Sequence, residues 1–191
     1  MEENGIVTLQ EVRWHGRGGQ GAWTASELLA KAAIYEGKYI QSFPEFGPER
    51  MGAPVRAFTR ISKTPLRMHC SIYSPQVAVV LDPTLLNSTP VADGLAQDGL
   101  LIINTQLPPA KIRQKLDLIE RTVWTVPATD IAVRILGRPI TNTAMLGAVA
   151  RATGIVDLKS LERVIKERFP AGIAEKNIGV MKVAYNEARS G

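Results

Sequence analysis

The chain has 191 residues and a mass of 20.8 kDa, with 45% hydrophobic and 21% charged residues. This composition is ordinary for a folded protein, and the length predicts a single domain spanning residues 1–191. The formal net charge is +5 and the isoelectric point is about 9.5. Because Lys and Arg are spread along the chain instead of forming one stripe, the charge argues against a nucleic-acid partner and favours an acidic partner protein or an anionic small molecule.

Two further classes are excluded by pattern. No apolar run reaches the roughly 18 residues that a membrane span needs, so we expect no membrane contact. The N-terminus begins with acidic residues and lacks the basic region and apolar stretch of a signal peptide, which predicts a cytoplasmic location.

Cysteine and histidine are scarce. Cys70 is the only cysteine, which excludes a disulfide within the chain and any cluster held by four of its own thiolates. His15 and His69 are the only histidines, and neither has metal-ligand spacing. His69 and Cys70 are adjacent, so in a strand they would point to opposite faces, and we expect a buried Cys70 and a partly exposed His69. The sequence predicts no metal in this chain.

The predicted elements begin with a β-branched strand over residues 6–16, which ends in the glycine-rich stretch "GRGGQG". Small apolar residues then recur every three to four positions over residues 22–35, which predicts a helix that approaches a sheet closely, with Gly37 as its C-cap. A second strand is expected over 38–43. Three prolines and two glycines over 44–54 predict a loop without regular structure, long enough to be functional.

The rest of the chain alternates between strands and helices. Strands are predicted over 55–62, 76–82, 99–105 and 121–128, and helices over 109–120, 129–137, 142–154, 157–169 and 173–189. Asn142 and Asp157 are expected N-caps, and Gly137 and Gly154 expected C-caps. This alternation predicts a single three-layer α/β/α domain with a largely parallel sheet.

The glycine-rich stretch leaves two interpretations open. Gly16, Gly18 and Gly21 fit G-x-G-x-x-G between a strand and a helix, as in dinucleotide-binding folds. Such folds need an acidic residue about 20 positions later to hold the ribose, and the matching positions are Gln41 and Ser42. The lysine and hydroxyl of a P-loop and the Gly-Asp-Gly signature of thiamine diphosphate sites are also missing. The stretch is therefore either a tight structural turn or an anion site at a helix N-terminus.

Four motifs in order, within residues 15–62, resemble the γ subunit of the 2-oxoacid:ferredoxin oxidoreductases. They are Gly-Arg-Gly-Gly-Gln-Gly, Ala-Ser-x-Leu-Leu-Ala, Phe-Gly-Pro-Glu-Arg-x-Gly-x-Pro-Val and Arg-Ile-Ser. The later stretches "NTAMLGAVARATG" and "EKNIGVMKVAYNEA" are similar to the C-terminal half of that family, so the resemblance covers most of the chain.

The resemblance implies a non-catalytic γ subunit of a complex of the pyruvate synthase type, which converts pyruvate and coenzyme A to acetyl-CoA and CO₂ and reduces ferredoxin. It implies α, β and δ subunits as partners, with thiamine diphosphate, magnesium and [4Fe-4S] clusters on those subunits and no cofactor in this chain. A γ subunit of a 2-oxoisovalerate:ferredoxin oxidoreductase is the alternative. The alternative of another class is a stand-alone dinucleotide-binding oxidoreductase.

No residue is predicted to be catalytic, and two sets of residues are predicted sites. The resemblance and the helix N-terminus together predict contact with an anion such as coenzyme A by the glycine-rich stretch, comprising Gly16, Arg17, Gly18, Gly19, Gln20 and Gly21. The "FGPERMG" segment is the predicted inter-subunit surface, comprising Phe46, Glu49, Arg50 and Met51. A self-packed loop over the sheet edge is the alternative for that segment.

Overall fold

The architecture follows from a computed structural model that describes residues 9–45, 52–68, 70–118 and 120–191. The strands in these ranges are β1 (Leu9–Arg17), β2 (Tyr39–Glu45), β3 (Pro54–Ser62), β4 (Val77–Val80), β5 (Leu100–Asn104), β6 (Thr122–Val126) and β7 (Arg189–Ser190). The helices are α1 (Ala22–Tyr35), α2 (Pro109–Leu116), α3 (Ala128–Leu136), α4 (Asn142–Thr153), α5 (Leu158–Arg168) and α6 (Ala171–Glu187). A short 3-10 helix spans Pro83–Asn87.

The strands form one sheet in the order β2-β3-β1-β4-β5-β6-β7. The central pairings β1–β4, β4–β5 and β5–β6 are parallel, whereas β3 pairs antiparallel with both β1 and β2, and β7 pairs antiparallel with β6. Five of the seven described strands therefore run in one direction, and only β3 and β7 oppose them. The largely parallel sheet is confirmed, and the strand pairings at its two edges, β2–β3 and β6–β7, are antiparallel.

The two faces of the sheet are covered unequally. The larger core lies between one face and helices α1, α3, α4, α5 and α6. A smaller core lies on the opposite face, under α2 and the 3-10 helix. The side chains of β1 point alternately to the two faces of the sheet. Val12 and Trp14 lie in the larger core, and Arg13 and His15 lie on the opposite face. The predicted three layers are present, with five helices on one side and one on the other.

Helix α1 lies close to the sheet because its inner face is mostly alanine. Ala25, Ala32 and Ala33 are fully buried against strands. Gly16, at the end of β1, continues this close approach, because a Cβ at that position would lie 3.1 Å from the Cβ of Ala22. The small residues in "GAWTASELLAKAA" are therefore explained by packing.

The predicted loop over 44–54 is wrong at both ends. Pro44 and Glu45 are the last residues of β2, and Pro54 is the first residue of β3. Strand β2 is an edge strand that pairs only with β3, so the missing N–H of Pro44 interrupts no ladder on its open side. Pro54 begins its strand, where proline is also tolerated.

Helix ends agree with the predicted caps in part. Asp157 is the N-cap of α5, and Gly137 and Gly154 are left-handed C-caps of α3 and α4. The N-cap of α4 is Thr141, with Asn142 as the first helical residue.

Three termini also differ from the prediction. The C-cap of α1 is Glu36, so Gly37, at φ +72°, is the residue after the cap. Helix α2 stops at Leu116, because Asp117 takes a left-handed conformation with φ 54°. Helix α6 ends at Glu187, because the next residues leave the helix to pair with β6.

The expectation for Cys70 is wrong. Cys70 is exposed in a bend outside any strand, so its burial does not follow from strand alternation. His69 lies outside the described residues. The other histidine, His15, is 2% exposed within β1.

Candidate functional site

The glycine loop, residues 16–21, joins the end of β1 to the start of α1 at the carboxyl edge of the parallel strands. Open α/β sheets bind ligands at this edge, beside the strand from which the chain connections lead to opposite sides of the sheet. Strand β1 is that strand here, because the chain proceeds from β1 to β2 and β3 on one side and to β4 on the other.

Two glycines of the loop have a conformation that other residues rarely adopt. Gly19 has φ +93°, and Gly21, the N-cap of α1, has φ +80°. Gly21 is also crowded, since a Cβ there would lie 2.8 Å from Nδ2 of Asn142, the first residue of α4. A Cβ at Gly19 would meet no atom within 4 Å. Gly21 is therefore required by conformation and by space, and Gly19 by conformation alone.

Several backbone N–H groups of the loop and of the first turn of α1 have no acceptor among the described residues. The N–H of Gly18 donates to the carbonyl of Ala53, and that of Gln20 donates to the carbonyl of Arg17. The N–H groups without an acceptor are those of Gly19, Gly21, Ala22, Trp23 and Thr24. The first N–H groups of a helix attract anions when they are free in this way.

The glycine loop separates two cavities. Cavity A has a volume of about 540 Å³ and is lined by Arg17, Gly18, Gly19, Gly21, Ala22, Trp23, Thr24, Pro44, Val55 and Arg56. Cavity B has a volume of about 470 Å³ and is lined by Gly19, Gln20, Leu81, Asp82, Pro83, Asn104, Thr129, Pro139, Ile140 and Thr141. The residues with free N–H groups line cavity A, which also contains two arginines, whereas cavity B contains the carboxylate of Asp82. Cavity A is therefore the better suited of the two to an anion.

Gln20 fixes the loop from within. Its Oε1 accepts a hydrogen bond of 2.8 Å from the N–H of Arg17, and its Nε2 donates one of 2.7 Å to Oδ2 of Asp82. Asp82 lies two residues after the end of β4, so the amide of Gln20 ties the loop to the end of the neighbouring parallel strand. The side chain of Gln20 is consequently committed to the structure of the loop.

The guanidinium of Arg17 also has internal partners. Its Nε lies 3.1 Å from Oδ2 of Asp82, its Nη2 donates to Oγ1 of Thr84 at 2.9 Å, and its Nη1 donates to the carbonyl of Gly52 at 3.1 Å. The side chain is 31% exposed. Arg17 thus contributes to the wall of cavity A, but Asp82 already balances its charge.

Asp82 is the centre of this network. Its Oδ1 accepts from the backbone N–H and the hydroxyl of Thr84, at 2.9 and 2.7 Å, which begins the 3-10 helix. Burial raises the pKa of the carboxyl group, but hydrogen bonds from Thr84 and Gln20 and the charge of Arg17 outweigh burial, so the pKa lies below its ordinary value. Asp82 is therefore ionised at neutral pH.

The glycine loop and the "FGPERMG" segment meet in space. Gly18 pairs with the end of that segment, donating its N–H to Ala53 at 3.0 Å and accepting from the N–H of Gly52 at 3.4 Å. The segment's predicted surface residues, Phe46, Glu49, Arg50 and Met51, lie outside the described residues. The glycine loop is therefore hydrogen-bonded to Gly52, at the end of that segment, and to Ala53 beyond it.

Several residues of the site are not found by the sequence reasoning. In cavity B, Asn104 donates from Nδ2 to the carbonyl of Leu81 and to Oγ1 of Thr129, both at 2.8 Å, which joins β5 to the start of α3. Asp82 and Asn104 fall within the strands predicted over 76–82 and 99–105, and no role in a site is predicted for them. Asp82 and Asn104 could be identified from the sequence as polar residues at or just past the carboxyl end of a buried parallel strand.

The architecture differs from a dinucleotide-binding fold. In those folds the helix after the glycine-rich turn leads to a strand that lies parallel and next to the first. Here α1 leads to β2, which is separated from β1 by the antiparallel strand β3. The position at which an acidic residue would hold the ribose is therefore at the far edge of the sheet.

Within the described ranges, no group of three or more His, Cys, Asp or Glu side chains is arranged to hold a metal ion. None of the helices in the described part of the chain is both long enough and apolar enough to cross a membrane.

Comparison with known proteins identifies the family. The family model described as pyruvate ferredoxin/flavodoxin oxidoreductase matches residues 11–187. The common γ subunit of the pyruvate/ketoisovalerate oxidoreductases of Pyrococcus furiosus is 52% identical over 93% of this chain and 96% of its own length. The pyruvate synthase subunit PorC of Methanocaldococcus jannaschii is 50% identical over the same shares of the two chains.

A solved structure of a related subunit supports the same family. The pyruvate oxidoreductase subunit PORC of Thermotoga maritima has a TM-score of 0.86 and 42% identity, and the match covers 96% of this chain and 99% of that one. The resemblance to the γ subunits is thus confirmed over nearly the whole chain, including the mixed sheet. The chain belongs to the pyruvate ferredoxin/flavodoxin oxidoreductase family.

Proposed function

We propose that this chain is the γ subunit of pyruvate synthase, the complex that oxidatively decarboxylates pyruvate with coenzyme A to acetyl-CoA and CO₂ and reduces ferredoxin. The relatives named for this complex match 93% and 96% of the chain. The observation that carries a role for this chain within the complex concerns the N–H groups of Gly19, Gly21, Ala22, Trp23 and Thr24. They have no acceptor among the described residues, and all five residues line cavity A.

We propose that the role is non-catalytic. The side chains of Gln20 and Arg17 in the glycine loop both have partners within the chain, since each is bonded to Asp82. Thiamine diphosphate, magnesium and [4Fe-4S] clusters belong, in this proposal, to the partner subunits α, β and δ. The single cysteine of the chain supports this division, because a [4Fe-4S] cluster is held by four thiolates.

Cavity A is the proposed contact with coenzyme A. Its phosphates would accept from the free N–H groups at the start of α1, a helix of 14 residues, where the helix dipole also favours negative charge. Arg56 in the wall adds a cation, although Glu45 accepts from it at 2.7 Å. Trp23 is 38% exposed at the same cavity and offers an apolar surface.

The substitution Gly19→Ala tests this contact. A Cβ at Gly19 meets nothing in the chain within 4 Å and lies between the two cavities, so it would occupy space that a ligand needs. Gly37→Ala is the matched control, because it follows the same helix, has φ +72° and also meets nothing within 4 Å. We expect titration calorimetry on the assembled complex to show coenzyme A binding weakened about 10-fold by Gly19→Ala only, a cost of about 1.4 kcal/mol. Equal affinity in both variants would support a scaffold without ligand contact.

The proposed interface with the other subunits is the segment that contains Phe46, Glu49, Arg50 and Met51. Its end at Gly52 is bonded to the glycine loop, so a partner that binds the segment would also reach cavity A. We expect Arg50→Glu to reduce co-purification of the α, β and δ subunits with this chain. Undiminished assembly and turnover would contradict the interface.

A second candidate function has one specific observation in its favour. A relative at 52% identity is named as a subunit common to pyruvate and ketoisovalerate oxidoreductases, so one γ chain serves two complexes there. Purification of this chain from its source, followed by assay of ferredoxin reduction with pyruvate and with 2-oxoisovalerate, decides between one complex and two.

The stand-alone dinucleotide-binding oxidoreductase makes an opposite prediction. It requires measurable binding of NAD or FAD by the isolated chain. The separation of β2 from β1 speaks against it, and we expect equilibrium titration with either cofactor to show no binding.

A further inference from the structure

A third cavity lies on the face of the sheet opposite α1. Cavity C has a volume of about 370 Å³ and is lined in part by Arg13 and His15 of β1, Arg56 of β3, Glu45 of β2 and Thr89. Its volume lies within the range of small-molecule sites. Arg13 is 5% exposed and His15 is 2% exposed, so two buried polar side chains form its floor.

The guanidinium of Arg13 is only partly satisfied by the chain. Its Nε donates to Nε2 of His15 at 3.0 Å, and its Nη2 donates to the backbone carbonyls of Val91 and Asp93. Its Nη1, which carries two N–H donors, has no acceptor among the described residues. Nη1 is therefore open to an acceptor that another molecule supplies.

No carboxylate of the described residues forms an ion pair with Arg13, although Asp93 and Glu45 lie near enough to favour its charge. Glu45 is paired with Arg56, whose Nε lies 2.5 Å from Oε2 of Glu45. Asp93 contacts Arg13 through its backbone carbonyl, and its residue is exposed to solvent. Arg60 shows the contrast, because it is equally buried in the same sheet but lies 2.6 Å from Oε1 of Glu11. Arg13 is thus a buried cation of cavity C without an ion-pair partner among the described residues.

His15 adds a second donor. Its Nε2 accepts from Arg13, and burial together with the charges of Arg13 and Arg56 lowers the pKa to about 3. The ring is therefore neutral at pH 7 and its proton is on Nδ1. Thr89, which is half-buried, contributes a hydroxyl at the cavity wall.

We propose that cavity C binds a small monocarboxylate, whose oxygens accept from Nη1 of Arg13 and from the N–H of His15. A carboxylate would give Arg13 the ion pair that it lacks among the described residues, through a charge-assisted hydrogen bond from Nη1. Cavity C shares Val55 and Arg56 with the wall of cavity A, but this proposal does not depend on the proposed contact with coenzyme A.

The test is a titration of the full chain with acetate and with pyruvate, followed by NMR of its histidine imidazoles. The chain has only two histidines, so their resonances are readily assigned by substitution. We expect the resonances of His15 to shift with carboxylate and to saturate in the millimolar range, while those of His69 do not. Acetamide at the same concentration and ionic strength is the control, because it has a similar shape without the charge, and we expect no saturable shift.

Two variants complete the test. Arg13→Met removes the charged donor and is expected to abolish the saturable shift. Thr89→Phe fills the cavity from a half-buried position outside the regular strands and is expected to have the same effect if Arg13→Met does not fold. A shift that is equal for acetamide and acetate, or that survives in the folded variants, would overturn the proposal, as would the absence of any saturable shift in the wild-type chain.

Discussion

Gln20 and Asp82 are joined by a hydrogen bond of 2.7 Å between Nε2 and Oδ2, which links the glycine loop to the end of β4. The same Gln20 side chain accepts from the N–H of Arg17, so one amide fixes both the loop and its neighbour strand. The glycines make the turn sterically accessible, and Gln20 holds the loop that leads into the first turn of α1 beside cavity A.

Gln20→Glu is expected to destabilise the fold. The substitution replaces the donor that faces Asp82 with a carboxylate oxygen, so an attractive contact becomes a repulsion between like charges. We expect the free energy of unfolding to fall by about 1–3 kcal/mol at pH 7 in urea denaturation. Gln106→Glu is the matched control, because Gln106 donates to Asp130 at 2.5 Å in the same way but at an exposed position. An equal cost in both variants would show that Gln20 has no special role.

Asp82 is expected to make stability dependent on acid. Its pKa in the folded chain is below the ordinary value of 3.8, so its ionised form stabilises the fold at higher pH. This contribution is present above the unfolded pKa and is lost as pH falls through the lower, folded value. We therefore expect the stability difference between wild type and Asp82→Asn to be large at pH 7 and to shrink below about pH 4. Thermal unfolding at several pH values measures it, and a difference independent of pH would contradict the ionic role.

The sequence predicts the parts of this fold that depend on local pattern. The helix Ala22–Tyr35 is found with its exact bounds, because small residues at helical spacing and a following glycine both indicate it. The glycine-rich stretch is also placed correctly, between the end of a strand and the start of this helix. The parallel centre follows from the buried runs that become β4 and β5, since strands buried on both faces are apolar throughout.

Long-range arrangement is not encoded in such patterns. The insertion of antiparallel β3 between β1 and β2 depends on pairing across about 40 residues, and alternation within a strand does not state its neighbour. The network of Gln20, Asp82 and Thr84 likewise depends on a contact between residues 62 positions apart, Gln20 and Asp82. Cys70 is exposed although cysteine is usually buried, because it lies in an irregular segment beyond β3.

His15 is expected to destabilise the fold in acid. Its pKa is about 3 in the folded chain, against 6.5 ordinarily, so between these values the unfolded chain binds a proton that the folded chain does not. Lowering the pH through this interval therefore favours unfolding, by up to about 1.4 kcal/mol per pH unit from this one group. His15→Gln should remove that part of the slope in urea denaturation, whereas His69→Gln should retain it. An imidazole of His15 that titrates near 6.5 by NMR would contradict the expectation.

Gly21→Ala is expected to be the most damaging single substitution in the glycine loop. Alanine at φ +80° is strained, and its Cβ would lie 2.8 Å from Nδ2 of Asn142, so α4 or the loop must move. Strain alone costs about 1 kcal/mol, and the added contact should bring the total to about 2–4 kcal/mol in the free energy of unfolding. Gly37→Ala measures the strain without the contact, because its φ is +72° and no atom lies within 4 Å of the added Cβ. If the two variants unfold at the same urea concentration, the packing of Asn142 against Gly21 does not hold the loop in place.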